Sequence, residues 1–321
     1  IDLREYKGVS AAANKGWGPP ADGIFQNHAD YAKWYATWWA LRMMDVVDKY
    51  QPDFIYTDGF SSQPFSGYGT GIGQKSDAMQ RVIADFYNKT LERRGKVDVF
   101  SIVKFRGKTN GTVNTAEADI PEHIKSDQDW IAESPVGDWF YAPGFVTDSG
   151  MVIRNLLEEV SRDGNIGVNI CPLPDGSLDD GTVKMLKEIG EWTRINGAGI
   201  YGSKAWTRLG EGADGKLNVL PGGKLGSKQA DHVFFPTDIR FTVGKDNNLY
   251  AYCMTVPATG TQVRITSLGS TANALGKPVK SVKLLGYTGP LRWKQTPDAL
   301  VVILPDTSAF KTALGFKIET K

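Results

Sequence analysis

Residues 49–60, KYQPDFIYTDGF, run from the end of an amphipathic segment through a proline into a short apolar strand that closes on Asp58 and Gly59. That order sets the Asp58 carboxylate just past a strand's carboxyl end, where folds of strands and helices keep their chemistry. Asp-Gly is also an ordinary turn dipeptide, so the surroundings decide. No G-x-S-x-G elbow, Walker loop, H-E-x-x-H helix or helix-opening G-x-G-x-x-G is present, and the Gly69–Gly73 run sits in a loop. Carboxylates are the obvious reagents that remain. Hydrolysis by a carboxylate pair needs an ionised nucleophile and a protonated donor across the scissile bond, roughly 5–5.5 Å apart when configuration is retained. Asp58 suits the first role. For the second, the segment 104–145 offers Glu117, Glu122 and Glu133. Glu117 lies between Ala116 and Ala118 and just before Ile120-Pro121, a neighbourhood apolar enough to favour the protonated form of a general acid. A solvated loop acid is its competing reading, and Glu122 and Glu133 read as surface or supporting groups.

The elements that must hold these groups alternate. Tyr31, Trp34, Tyr35, Trp38, Leu41, Val46 and Val47 recur at helical spacing and predict a helix over 28–50, capped by Asn27 or Asp30 and stopped by Pro52. Phe54-Ile55-Tyr56 predicts a strand buried on both faces. The Gly/Ser-rich loop Phe60–Lys75 is too long for a connector and reads as a rim over a site. A helix over 77–94, with Met79, Val82, Ile83, Phe86 and Leu91 on one face, leads through Arg93-Arg94-Gly95 into a strand at 97–103. Residues 104–145 read as polar and irregular. A helix near 148–162 ends at Gly164, a strand follows at 166–170, and a helix over 179–196 stops at Asn196-Gly197. About three or four strand–helix steps are too few to close an eight-stranded barrel, so the sheet is open or strands precede Ile1.

From about residue 207 the texture changes to short alternating runs between Gly-rich turns, such as FFPTDIRFTV, NLYAYCMTV and ALVVILP, which predicts an all-β sandwich. The boundary is placed between Ser203 and Leu209. The domains are then 1–206, an α/β part carrying the chemistry, and 207–321, the sandwich.

With 321 residues, 41% apolar, the chain can bury a sizeable core and is expected to form about two domains. Thirty-seven basic residues balance 36 acidic ones, for a net charge of +1, and no basic run stands out. That argues against nucleic acid or an anionic membrane and for a neutral partner. An aromatic content of 11% suits stacking on apolar sugar faces, although a core accounts for most of it. Cys171 and Cys253 could form one bridge, and neither they nor the three histidines fall at metal-ligand spacing. Ile1 is not an initiator Met, and the chain opens as though in mid-domain, as a fragment or processed product would.

Several motifs then agree in order with one family. YQPDFIYTDG resembles the nucleophile strand Y-x-P-D-hydrophobic-aromatic-x-D-G of the family 29 glycoside hydrolases, the α-L-fucosidases. WIAESPVGDWFY resembles the family's W-x-x-x-x-x-I-G-x-W-x-Y, and GNIGVNICPLPDG its G-N-hydrophobic-x-x-N-x-x-P-x-x-D-G. IGEWTRINGAGIYGSKAW is similar to its exit into the sandwich, and DIRFTVGKDNNLYAY to a strand pair within it.

The resemblance implies a catalytic (β/α)-barrel with a C-terminal antiparallel β-sandwich, the first barrel strands lying outside this chain. It implies a retaining exo-α-L-fucosidase in which Asp58 forms a covalent glycosyl-enzyme, without metal or organic cofactor. Fucosylated oligosaccharides or glycoconjugates would be its substrates, with L-galactose as the sugar closest to L-fucose. Many members carry the acid/base directly after the Trp of the second motif. Here that Trp is Trp130, and Ile131 follows, which cannot move a proton. TAEADIPEHI resembles instead the D-I-E-R-G-like segment of another group, with Glu117 in the Glu position and Glu133 as the alternative. Tyr56 would wall the fucose ring, Arg106 would reach its hydroxyls or ring oxygen, and Trp139 would close the site. The histidines and Trp of the family's N-terminal strands have no counterpart here. A catalytically impaired carbohydrate-binding relative is thus the alternative function, and both a homo-oligomer and association with a preceding segment stay open. Family members that digest glycans imply a secreted, periplasmic or lysosome-like location.

Overall fold

The computed structural model describes residues 28–58, 77–104, 111–117, 119–144, 148–222 and 231–321, with side chains from residue 36 onward in the first stretch. Two compact units divide between Thr115 and Ala116. The rim loop Phe60–Lys75, Arg106 and the cap candidate Asn27 lie outside the described residues.

In the first unit, helix α1 (His28–Tyr50) leads into strand β1 (Phe54–Thr57), and α2 (Ala78–Arg94) into β2 (Phe100–Val103). β1 and β2 run parallel with Phe54 opposite Phe100 and Thr57 opposite Val103. Strand β3 (Val113–Glu117) begins beside β2, also parallel. Gly95 ends α2 at φ +70°, a left-handed position that costs glycine nothing, and its N–H reaches the Leu91 carbonyl.

Four expectations change here. The buried face of α1 carries Ala36, Ala40 and Val47 with half-buried Trp39, Met43 and Met44, whereas Trp38, Leu41 and Val46 are exposed. The packed positions keep helical spacing, but small alanines give the closer approach to α2 and the strand. Leu91 is likewise exposed. β1 is buried on one face only: Ile55 and Thr57 point to the helices, while Phe54 is half exposed and stacks on Phe100 at 5.4 Å. β2 starts at Phe100, three residues later than Val97.

The second unit holds β4 (Trp130–Pro135), α3 (Ser149–Val160), β5 (Asn165–Asn169) and α4 (Asp180–Asn196). β4 and β5 are parallel, from Ile131 opposite Asn165 to Pro135 opposite Asn169. The segment 104–145 is therefore not irregular throughout; it contains β3 and β4. Asp148 caps α3 through the Gly150 N–H at 2.9 Å, and Asp179 caps α4 through the Thr182 N–H at 2.9 Å. At Gly164 a Cβ would meet the Trp130 ring at 2.2 Å, so only glycine lets the fully buried indole lie against the turn from α3 into β5.

Antiparallel strands follow. β6 (Lys204–Glu211), β7 (Ile239–Val243), β8 (Leu249–Cys253), β10 (Val279–Leu284) and β13 (Leu314–Thr320) form one sheet in the order β10-β13-β8-β7-β6. β9 (Gln262–Ile265), β11 (Arg292–Gln295) and β12 (Leu300–Ile303) form a second, in the order β11-β12-β9. Side chains of both sheets share one apolar core, including Phe241, Ala251, Val263, Val302 and Phe316. The fold class is the expected one: parallel strands interspersed with helices, as in part of a (β/α)-barrel, then an antiparallel β domain. Cys171 and Cys253 are both free thiols.

The larger sheet is buried on both faces. Ile239, Phe241 and Ala251 turn to the shared core, and Tyr250 and Tyr252 turn to α3 and α4. Tyr252 donates to the Asn196 carbonyl at 2.9 Å, Thr242 to that of Gly199 at 2.6 Å, and the Trp192 indole to that of Ala313 at 3.1 Å. Arg240, on the helix-facing side, grips Glu158 of α3 with Nε at 2.8 Å and Nη2 at 2.7 Å; all of these side chains are buried. Arg162 donates to the same carboxylate at 2.6 Å. Burial opposes ionisation of Glu158, yet Arg240 and Arg162 hold its pKa below the ordinary value.

The adjacent Glu159 is only 1% exposed, and its Oε2 has no hydrogen-bond partner among the described residues. Burial, opposed by Arg162 and aided by the charges of Glu158 and Asp119, pushes its pKa from 4.5 up to about 8. Between those values the folded chain keeps a proton that the unfolded chain has lost, so this group's contribution to stability is full below the window and falls as pH rises through it. Glu159→Gln removes the linkage. In urea unfolding the variant should gain on the parent from pH 5 to pH 8 by a few kcal/mol at most; a constant difference would refute the assignment.

Candidate functional site

β1 delivers Asp58 to the carboxyl end of the parallel pair. Because Thr57 stands opposite Val103, the next residues meet: the Lys104 N–H donates to the Thr57 carbonyl at 3.2 Å, and Lys104 Nζ lies 3.3 Å from Asp58 Oδ1. The Asp58 side chain is 69% exposed. An ion pair this open is worth at most about 1 kcal/mol and leaves the carboxylate free to be approached. Thr57 Oγ donates to the Ile102 carbonyl at 3.3 Å, pinning the last strand residue before the acid. Tyr56, half-buried, shares by alternation the strand face opposite Ile55 and Thr57. Lys104 is the charged neighbour of the candidate Asp58 that sequence reasoning missed, although it begins the KFRG segment; the parallel register brings it to Asp58.

The remaining acids belong to the second unit. Glu117 is the last residue of β3 and is exposed, so the apolar shelter expected from its neighbours in sequence is not formed. Ala116, its neighbour within the extended strand, points to the other face and leaves it uncovered, and Ala118 lies outside the described residues. Glu133 lies within β4, half-buried, directly across from Gly167 of β5. A Cβ at Gly167 would stand 3.2 Å from Ile131 Cδ1 and 3.7 Å from Glu133 Cγ, so both side chains lean over the space that glycine leaves. Trp130, Ala132 and Ser134 are buried on the opposite face of β4. Glu122 is exposed.

Past β4 the chain presents aromatic side chains. Trp139 is 36% exposed and Phe140 84%, with the Trp139 N–H donating to Asp138 Oδ1 at 2.8 Å. Beside them a hollow at the carboxyl ends of β4 and β5 is lined by Val136, Asp138, Tyr141, Cys171, Asp179 and Met185. The structure thus provides an accessible carboxylate at one strand end with a cationic neighbour. It also provides two candidate proton donors in the second unit, one on β3 and one on β4, and an aromatic shelf.

Comparison with known proteins follows the same lines. The family described as "Alpha-L-fucosidase" matches residues 12–198, and that described as "Alpha-L-fucosidase C-terminal domain" matches residues 229–319. Tissue alpha-L-fucosidase of Rattus norvegicus is 25% identical over 275 residues, 82% of this chain and 50% of that protein. Plasma alpha-L-fucosidase of Homo sapiens is 28% identical over 278 residues, again 82% and 50%. The chain spans about half the length of the curated relatives it matches. Among solved structures, the Thermotoga maritima alpha-fucosidase superposes with a TM-score of 0.64 at 21% identity, covering 89% of this chain and 56% of that one. The same enzyme in complex with fucose superposes at 0.63.

Proposed function

This chain belongs to the alpha-L-fucosidase family, and from that premise we propose that it carries the nucleophile and acid/base side of a retaining exo-α-L-fucosidase. Its substrates are terminal α-L-fucosyl residues, or the closely similar α-L-galactosyl residues, of oligosaccharides and glycoconjugates. The observation that supports this reading most is the exposed Asp58 carboxylate just past β1. In the first step Asp58 attacks the anomeric carbon while the glycosidic bond breaks and the leaving oxygen takes a proton from an acid. In the second, water attacks the anomeric carbon of the glycosyl-aspartate, the acid that gave up its proton now takes the water's proton, the bond from the sugar to Asp58 breaks, and L-fucose leaves with its configuration retained. Both steps balance with carboxylates alone, so no cofactor is required.

Glu117 is the first assignment for the proton, by its motif and its strand-end position. The half-buried position of Glu133 favours it as the second, because partial withdrawal from water suits a group that must hold a proton. Tyr56 and Trp139 supply apolar walls for the sugar, and Arg106 a donor to its oxygens. The domains are assigned as 1–206, catalytic, and 207–321, the β-sandwich. NMR observation of the first-formed anomer from an aryl α-L-fucoside tests the reading: the α-anomer is expected, and the β-anomer would overturn retention. Alanine at the true acid/base should lower turnover of an unactivated fucoside by about 10²- to 10⁴-fold and spare an activated aryl fucoside in its first step. Glu117→Ala is expected to give that split, and finding it in Glu133→Ala alone would reassign the role.

A carbohydrate-binding relative without turnover is the second reading, favoured by Ile131 directly after Trp130. Calorimetry and sugar release on one preparation separate the two: affinity with no fucose released would select the binding protein.

A further inference from the structure

We propose that Arg162 is a positioning residue for the acid/base group, fastening the crossing between β3 and β4 to the C-terminal sheet through Glu158 and Arg240. The proposal rests on the reading of Glu117 or Glu133 as that group. Glu117 ends β3, and Glu133 sits three residues after Trp130, which opens β4. Whatever holds the chain between these points therefore sets the place of either acid.

Three contacts hold it. The fully buried Arg162 donates from Nε to the Pro121 carbonyl at 2.5 Å. Its own carbonyl accepts the Lys125 N–H at 3.0 Å, and the Lys125 carbonyl in turn accepts the Trp130 indole N–H at 3.0 Å. One arginine thus binds both ends of the 121–125 turn. Ile120, beside Pro121, packs into the apolar cluster shared by α3, α4 and the helix-facing side of the sheet. From the other end of its guanidinium, Arg162 Nη1 reaches the Glu158 carboxylate at 2.6 Å and the Glu158 carbonyl at 2.8 Å. Glu158 is held twice by Arg240 of β7.

Two arginines and a carboxylate withdrawn from water are a poor way to stabilise a fold, since apolar groups of similar volume would often serve as well. Their use is directional. A planar guanidinium fixes two acceptors at set angles, which a lysine ammonium cannot do, and acid catalysis is lost when the donor moves by an ångström. The C-terminal sheet becomes, on this account, the reference frame for proton transfer.

Arg162→Lys in the full chain is the test, because it keeps the charge beside Glu158 while losing the bond to Pro121. A dislocated acid should leave kcat/KM for an activated aryl α-L-fucoside within about threefold and lower it about 30-fold or more for an unactivated fucosyl disaccharide. Hydrogen–deuterium exchange should rise in peptides covering 116–125 and stay unchanged in β7 and β8. Should Arg162→Lys not fold, Arg240→Lys, which keeps one contact to Glu158, is read by the same substrate comparison and by exchange at 116–125 alone, because the substitution itself lies in β7. An equal loss on both substrates, or no loss, overturns the positioning role. If the parent cleaves neither substrate, the fucosidase reading falls by itself. The tether then stands on faster exchange confined to 116–125, and unchanged exchange there refutes it.

Discussion

Asp58→Gly or Asp58→Ala should lower cleavage of an aryl α-L-fucoside by about 10³-fold or more, equivalent to at least about 4 kcal/mol of lost transition-state stabilisation. The carboxylate is exposed at the strand end, so its removal opens space rather than a cavity in the core. The variant should therefore fold, and stability need not confuse the result. Azide should restore turnover by entering that space and attacking the face from which the carboxylate acted, giving the β-L-fucosyl azide. Lys104, released from its partner, would help hold the anion there. Kinetics like the parent's would end the assignment of Asp58. Loss of activity without azide rescue would make Asp58 a binding group and leave the nucleophile unassigned.

Arg240→Ala should have the largest effect on stability. It leaves Glu158, fully buried, with one cationic partner instead of two, and breaking a buried pair of this kind costs about 3–5 kcal/mol. For a unit of this size that corresponds to a fall in Tm of about 6–20 °C, measurable by thermal unfolding of the full chain. Exchanging Arg240, Glu158 and Arg162 together for apolar residues of similar volume should recover part of the loss, since no orphaned charge then remains. A single variant that melts within about 2 °C of the parent would mean that water or Arg162 alone satisfies the carboxylate.

The parts of this molecule that could be read from its sequence are those whose pattern is local. Helical spacing located α1 through α4 to within a few residues, and the D-G after an apolar run located Asp58. β3 and β4 escaped because VNTAE and WIAESP carry too few apolar residues to alternate; their pairing partners supply the order. The face of α1 is hidden from the sequence for a related reason. Aromatic bulk singles out Trp38, whereas the tight contact is made by Ala36 and Ala40. Lys104 reaches Asp58 by strand register, and Glu158 meets Arg240 across 82 residues, neither of which any window of sequence displays. The expected apolar shelter of Glu117 failed because Ala116, its neighbour within the strand, lies on the other face.

Burial of the larger antiparallel sheet on both faces also limits how this protein could have been assembled or could be dissected. Cutting the chain at 206/207 would strip water-avoiding side chains from two surfaces at once: Tyr250 and Tyr252 on one fragment, Ile153, Leu157 and Trp192 on the other. Neither half would be an independent module. A β domain built this way cannot be swapped or shed by recombination like a bead on a string, and its sequence should drift in step with helices α3 and α4.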